Sequence, residues 1–310
     1  MKKGVLLVNL GTPKSPTAAD VRTYLSKFLA DKRVLDVPRA IWLPILHGMI
    51  LRTRPKRSAA RYRQIWTKAG SPLFIYAQKQ AQQLQALLPT TIVKYAFCYS
   101  DPSITDSLTE MQQAGVTDLT IIPLYPQYSV TTVASVYDQV ATHFMHAQAM
   151  PNLHFVTAYY QHPTYIKALA AQIKQALAQQ SYDRIIFSYH GIPEKYVTAG
   201  DPYFKQCTAT TQQVMALVGD VPYTQTFQSK FGPGKWLSPA TDDTLRALPQ
   251  QNVKSVLVLT PGFVADCLET LEEIDQENRG YFKASGGQQF TYLHPFNESQ
   301  TFTQLLADLA

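Results

Sequence analysis

The sequence has 310 residues, of which 45% are hydrophobic and 16% charged. That is enough chain for two cores of about 150 residues each and too apolar for a disordered protein. The formal net charge of +6 suits an anionic partner, but no nucleic-acid-binding motif accompanies it, so nucleic acid is not expected. Three cysteines, odd in number and without a CxxC pair, point to neither a disulfide framework nor a structural zinc site.

The chain opens Met1-Lys2-Lys3-Gly4-Val5-Leu6-Leu7-Val8. The apolar stretch stops at Asn9 and no small-residue cleavage site follows, so it reads as a first strand and the protein as cytoplasmic. An apolar run at 41–51 precedes Arg52, Arg54, Lys56, Arg57, Arg61 and Arg63. The run is too short to span a bilayer and contains Pro44 and Gly48. Two readings stay open: a lip at 41–63 that rests peripherally on anionic lipid, or a buried helix followed by a solvated basic face.

Apolar runs suited to strands fall at 4–10, 92–98, 118–124, 153–159, 184–189, about 223–228 and 254–260. Segments of helical length and spacing fall at 75–88, 103–114, 131–147, 163–180, 203–218, 268–283 and about 299–309. Near-continuous apolar strands alternating with helices predict an α/β fold with parallel sheets covered on both faces. The halves echo each other. Leu10-Gly11-Thr12-Pro13 follows one strand and His190-Gly191-Ile192-Pro193 ends another, while Pro123 and Pro261 each close a strand that leads toward a helix. The expectation is two similar doubly wound, Rossmann-like domains with an interdomain cleft, 1–158 and 159–298, with the last helix (299–310) packing back on the first. No G-x-G-x-x-G and no G-x-x-x-x-G-K-[ST] occurs, so nucleotide cofactors lack their usual support. Ligands of such folds sit outside the carboxyl ends of the strands, which singles out Leu10, 123–129, His190 and 261–269.

His190 ends a strand, where an imidazole suits a base or a neutral metal ligand; a structural histidine bonded to a loop carbonyl is the bland alternative. Glu269, Glu273 and Glu277 recur at i, i+4 and i+8, placing three carboxylates along one helix face. Like charges at that spacing are mildly repulsive. Hard oxygen ligands without a rigid cage suit a divalent ion in transit; a solvated acidic face is the common alternative. Gln228-Ser229-Lys230-Phe231-Gly232 with Trp236, and the 123–129 segment, add polar and aromatic groups suited to a flat ligand or equally to packing.

These residues also carry a resemblance. Ser188-Tyr189-His190-Gly191-Ile192-Pro193, Gly200-Asp201-Pro202-Tyr203, Phe227-Gln228-Ser229-Lys230-Phe231-Gly232-Pro233 and the run from Pro261 to Glu273 resemble signature segments of ferrochelatases. So do Leu7-Val8-Asn9-Leu10-Gly11-Thr12-Pro13 and Tyr125-Pro126-Gln127-Tyr128-Ser129. The resemblance spans essentially the whole chain in order. It implies a two-domain chelatase fold that binds a porphyrin in its cleft and inserts Fe(II), a haem-biosynthetic lyase that releases two protons. By position it implies His190 and Glu269 as catalytic residues and His190, Glu269, Glu273 and Glu277 as metal contacts. The porphyrin contacts it implies are Leu10, Phe28, Leu29, Tyr99, Tyr128, Ser129, Ser229, Lys230, Trp236 and Phe263. Some relatives hold a [2Fe–2S] cluster through four cysteines. Here Val130 occupies the internal cluster position and no cysteine follows Cys267, so no cluster or other cofactor is expected. Cys98 and Cys267 stand where relatives often carry a basic residue and some carry His. Protoporphyrin IX is favoured by the apolar 41–51 segment, with coproporphyrin III the alternative; a non-catalytic porphyrin carrier and a chelatase of corrin precursors are rivals. A monomer is expected.

Overall fold

The computed structural model describes residues 1–232 and 234–310; Pro233, the end of the 227–233 segment, lies outside the described residues. Packing divides the chain into two compact units, Met1–Thr157 with Glu298–Ala310, and Ala158–Asn297.

In the first unit, β1 (Lys3–Asn9) is followed by α1 (Ala18–Ala30), α2 (Arg39–Ile45), a π-helical turn (Leu46–Ile50), α3 (Leu51–Ile65) and α4 (Pro72–Leu87). Then come β2 (Ile92–Phe97), α5 (Ile104–Gln113), β3 (Asp118–Pro123), α6 (Val133–Phe144) and β4 (Asn152–Phe155). The strands form an all-parallel sheet in the order β2-β1-β3-β4. Val5, Leu6, Leu7 and Val8 of β1 are all buried, because helices cover both faces of a central parallel strand. One face packs Leu6 and Val8 with Ile121, Leu108, Val136 and Phe144. Helix starts follow local chemistry: Thr17 and Ser103 accept the N–H groups of Asp20 and Asp106.

The second unit contains α7 (Pro163–Gln179), β5 (Arg184–His190), α8 (Glu194–Thr198), α9 (Tyr203–Val218), β6 (Tyr223–Gln228) and α10 (Thr241–Ala247). After a short 3₁₀ turn come β7 (Ser255–Leu259), a π-helix (Glu269–Asn278), α11 (Arg279–Ala284) and β8 (Gln289–Leu293). Its sheet is again parallel, in the order β6-β5-β7-β8. Taken in chain order within each unit, this is the order of the first sheet, so the short sequence echoes mark equivalent strand ends. The final helix, α12 (Gln300–Asp308), belongs to the first unit and packs on α4.

Two expectations change in detail. The edge strand predicted at 153–159 shortens to β4, whose residues are exposed or half-buried, since one-sided pairing stops sooner than central pairing. The single amphipathic helix predicted at 268–283 is a π-helix continued by α11. Strand β8 was not expected. Its burial alternates, and Gln289-Phe290-Thr291-Tyr292-Leu293 offers no continuous apolar run.

In the 41–63 segment, Leu46 and Leu51 are buried, whereas Ile41, Ile45 and Met49 are exposed. Arg52, Lys56, Arg57, Arg61 and Arg63 face solvent along α3 while Pro55, Ala59 and Tyr62 point inward. Among the described residues, no helix is long and apolar enough to cross a membrane.

Candidate active site

Because all four strands of the second sheet run in parallel, their carboxyl ends share one edge, and that edge carries His190, Gln228, Ser229 and the 260–269 loop. His190 is the last residue of β5 and pairs in register with Gln228 of β6. The next residue has to be small: a Cβ at Gly191 would stand 2.8 Å from the Gln228 carbonyl oxygen. That carbonyl accepts the Gly191 N–H at 2.7 Å. Trp236 lies beside Gly191, held by pairing with Pro193. The His190 ring is half-buried, 6.5 Å from the ring of Phe263. Its Nδ1 lies 2.7 Å from the Gly191 carbonyl oxygen. A carbonyl only accepts, so in the neutral imidazole Nδ1 carries the hydrogen and Nε2 holds the lone pair. The site therefore presents a nitrogen able to take a proton or meet a metal.

Gln228 ties this strand end to the acidic helix. Its buried Oε1 accepts from Ser188 Oγ at 2.8 Å, and its Nε2 donates to the Glu269 carbonyl oxygen at 2.8 Å. One residue on, Ser229 takes a left-handed backbone conformation (φ +63°), uncommon for a residue with a side chain. In that conformation both its N–H (2.6 Å) and its Oγ (2.5 Å) donate to the Glu273 carboxylate. Lys230 points to solvent and pairs with Asp243 at 3.7 Å.

The acidic segment is π-helical from Glu269 to Asn278, a geometry rare in proteins and frequent at functional sites. Its turn is wider than the ~3.6 residues of an α-helix, so Glu269, Glu273 and Glu277 remain neighbours in a row. Burial pushes the Glu273 carboxyl up to about 7, against the pull of the Ser229 donors and with the help of the Glu269 and Glu277 charges. Burial and neighbouring Glu269 raise the Cys267 thiol. Glu277 Oε1 accepts from the Tyr281 hydroxyl at 2.6 Å. The start of the segment is anchored by buried Asp266, which accepts from Thr270, Asn297 and His294, the His294 Nδ1 contact being 2.8 Å. That bond raises the His294 pKa. Among the described residues, no group of three or more His, Cys, Asp or Glu side chains is arranged to hold a metal ion. The carboxylates form a row rather than a cage.

The remaining predicted residues lie in the first unit, Phe28 and Leu29 on the last turn of α1 and the others in segments that follow its strands. Leu10 follows β1 and is half-buried. Tyr99 follows β2; its ring packs on Phe28 at 5.3 Å and its hydroxyl donates to Asp31 at 2.7 Å. Burial, with Cys98 and Asp31 nearby, holds that phenol protonated. Leu29 is a core residue, 3% exposed, and its carbonyl accepts from Trp42 Nε1. Ser129, 1% exposed, turns its Oγ toward Thr131 and its carbonyl toward the start of α6. Tyr128 is half-buried. Sequence reasoning missed the bridging role of Gln228, the Asp266–His294 anchor and Tyr281. Gln228 was visible as a polar residue in a quoted segment; nothing local announced the other two.

A family model described as Ferrochelatase matches residues 2–310. A coproporphyrin III ferrochelatase from Enterococcus faecalis is 47% identical over 308 residues, covering 99% of this chain and 98% of that protein. A ferrochelatase from Edwardsiella ictaluri is 47% identical over 312 residues, covering 99% and 97%. Among solved structures, SirB from Bacillus subtilis with Fe3+ matches with a TM-score of 0.57 at 12% identity, covering 100% of this chain and 96% of that one. CbiX, a terminal enzyme of sirohaem biosynthesis in denitrifying bacteria, matches at 0.54 and 15%, covering 99% and 97%. At such identities these two structures speak for the fold alone.

Proposed function

This chain belongs to the ferrochelatase family and inserts iron into a porphyrin in haem biosynthesis, and from that premise we propose that His190 and Glu269 are its reacting side chains. Metallation removes two pyrrole N–H protons and admits a cation that sheds its water. The observation that carries the reading is the Nδ1 bond of His190 to the Gly191 carbonyl, which supports Nε2 as the proton acceptor. Gln228, bonded to the Glu269 backbone, sets the helix start relative to that strand end. Glu269 takes the second proton or meets the entering iron. Glu277 and Glu273 are the outer steps of the ion's route. A Glu273 carboxyl near neutrality in pKa exchanges a proton for a cation at little cost. His190→Ala abolishes metallation of porphyrin with Fe(II) or Zn(II) while thermal unfolding stays close to the parent; a folded variant with normal turnover refutes the assignment.

The porphyrin contacts we assign are Leu10, Phe28, Leu29, Tyr99, Tyr128 and Ser129 of the first unit, and Ser229, Lys230, Trp236 and Phe263 of the second. Since the Tyr99 hydroxyl is engaged by Asp31, that residue serves as an aromatic wall. Exposed Ile41, Ile45 and Met49 support protoporphyrin IX, the less charged ring, and a peripheral membrane contact through 41–63 in an otherwise cytoplasmic monomer. A second reading, coproporphyrin III, is favoured by the name of the Enterococcus faecalis relative and by the basic face of α3. Parallel assays with both porphyrins, with and without anionic vesicles, separate them. We assign no resident cofactor: the three cysteines of the sequence are fewer than the four thiolates of a [2Fe–2S] cluster.

A further inference from the structure

Glu277 sits at the end of the π-helix and is only half-buried. An unrestrained glutamate there would sample many rotamers and lose that freedom each time an ion arrived. Four residues on, the Tyr281 hydroxyl donates to Glu277 Oε1 at 2.6 Å. A neutral donor orients a carboxylate without cancelling the charge that attracts a cation, as a lysine or arginine would. Behind the tyrosine, the Arg246 guanidinium from α10 lies over the ring face at 3.4 Å from its centroid. Stacked there, it fixes the ring and draws electron density from the phenol, strengthening the hydrogen bond. Arg279, on the same helical turn, donates through Nε to the Asp275 carbonyl and through Nη1 to the Phe290 carbonyl, and pairs with the Asp275 carboxylate.

We infer that Tyr281, backed by Arg246, is a positioning residue for the iron substrate: its phenol holds the Glu277 carboxylate in the orientation that receives the entering ion. The inference rests on the reading of Glu277 as part of the metal route. Tyr281 touches neither the porphyrin nor the reacting nitrogens in this scheme, so its influence is confined to metal entry.

The test is Tyr281→Phe in the full chain, which keeps the ring and its stacking on Arg246 and removes one hydroxyl. Steady-state metallation is followed with Zn(II) and with Fe(II), varying metal and porphyrin separately, beside Glu277→Ala and the double variant. The apparent metal KM rises about tenfold, the lower end of what loss of a ligand-orienting partner causes, while porphyrin KM and saturated turnover stay within about twofold. In the double variant Tyr281→Phe adds nothing further, since its effect runs through Glu277. If Glu277→Ala raises the metal KM and Tyr281→Phe does not, or if the two effects add, the positioning role is wrong. If neither variant moves the metal KM, the metal route through Glu277 is wrong, and the inference falls with it.

Discussion

A methyl group at position 191 would meet the Gln228 carbonyl at 2.8 Å, the same oxygen that accepts the residue's own N–H. Gly191→Ala therefore pushes β5 and β6 apart at the point where the Gly191 carbonyl fixes the His190 tautomer. It costs about 1–3 kcal/mol, as overpacking does, and lowers turnover more than porphyrin affinity, read from melting curves and from KM against kcat. Glu273 supplies a pH dependence. Its carboxyl is raised from an ordinary value of 4.5 to about 7, chiefly by burial. A raised pKa favours the folded state while the group is protonated. Relative to Glu273→Gln, the parent is thus most stable below pH 4.5, loses up to about 3 kcal/mol as pH rises to about 7, and changes no further above it. Unfolding midpoints of both proteins across that range test this; a parent stability that rises with pH relative to the variant has the wrong sign.

The π-helix is the element on which the site turns, and it is held from several sides. Gln228 grips the Glu269 carbonyl, Ser229 grips Glu273, and Asp266 gathers Thr270, Asn297 and His294. Gln228→Leu keeps the volume and removes the amide. It takes the amide donor from the Glu269 carbonyl, while the buried Ser188 hydroxyl keeps Thr241 Oγ1 as a partner, and costs about 1 kcal/mol; turnover falls as the Glu269 end of the helix loosens. His294 acts on the same element with a definite sign. Its pKa is raised by Asp266, so its contribution is full below the ordinary histidine range and disappears as pH rises through the folded value. The stability difference between parent and His294→Ala accordingly shrinks toward alkaline pH, measurable as converging melting curves.

At the scale of the whole molecule, the same strand order occurs in both sheets, and both place candidate residues at the carboxyl edge. Helix α12 stabilises the first unit. Phe302, Leu305 and Leu306 are buried, Thr303 bonds Gln83, and Glu298 pairs with Lys79. Phe302→Ala opens a cavity worth about 3–5 kcal/mol and lowers the melting temperature without moving metal KM. What the sequence determined by itself was the α/β class, most strands and the residues at their ends. Apolar runs such as 4–8 and 256–259 report burial on both faces, and a strand's end follows directly from where its run stops. Expecting Glu269, Glu273 and Glu277 in a row also needed only spacing. Tertiary structure alone decided the rest. The Gln228–Glu269 and Ser229–Glu273 bonds join residues 41 and 44 positions apart, and the left-handed turn at Ser229 lies where those bonds form. A π-helix in place of the expected α-helix likewise follows no local propensity. Periodicity encodes which side of an element is buried; it carries no record of which distant donor meets which acceptor, and that pairing sets the orientation of each carboxylate.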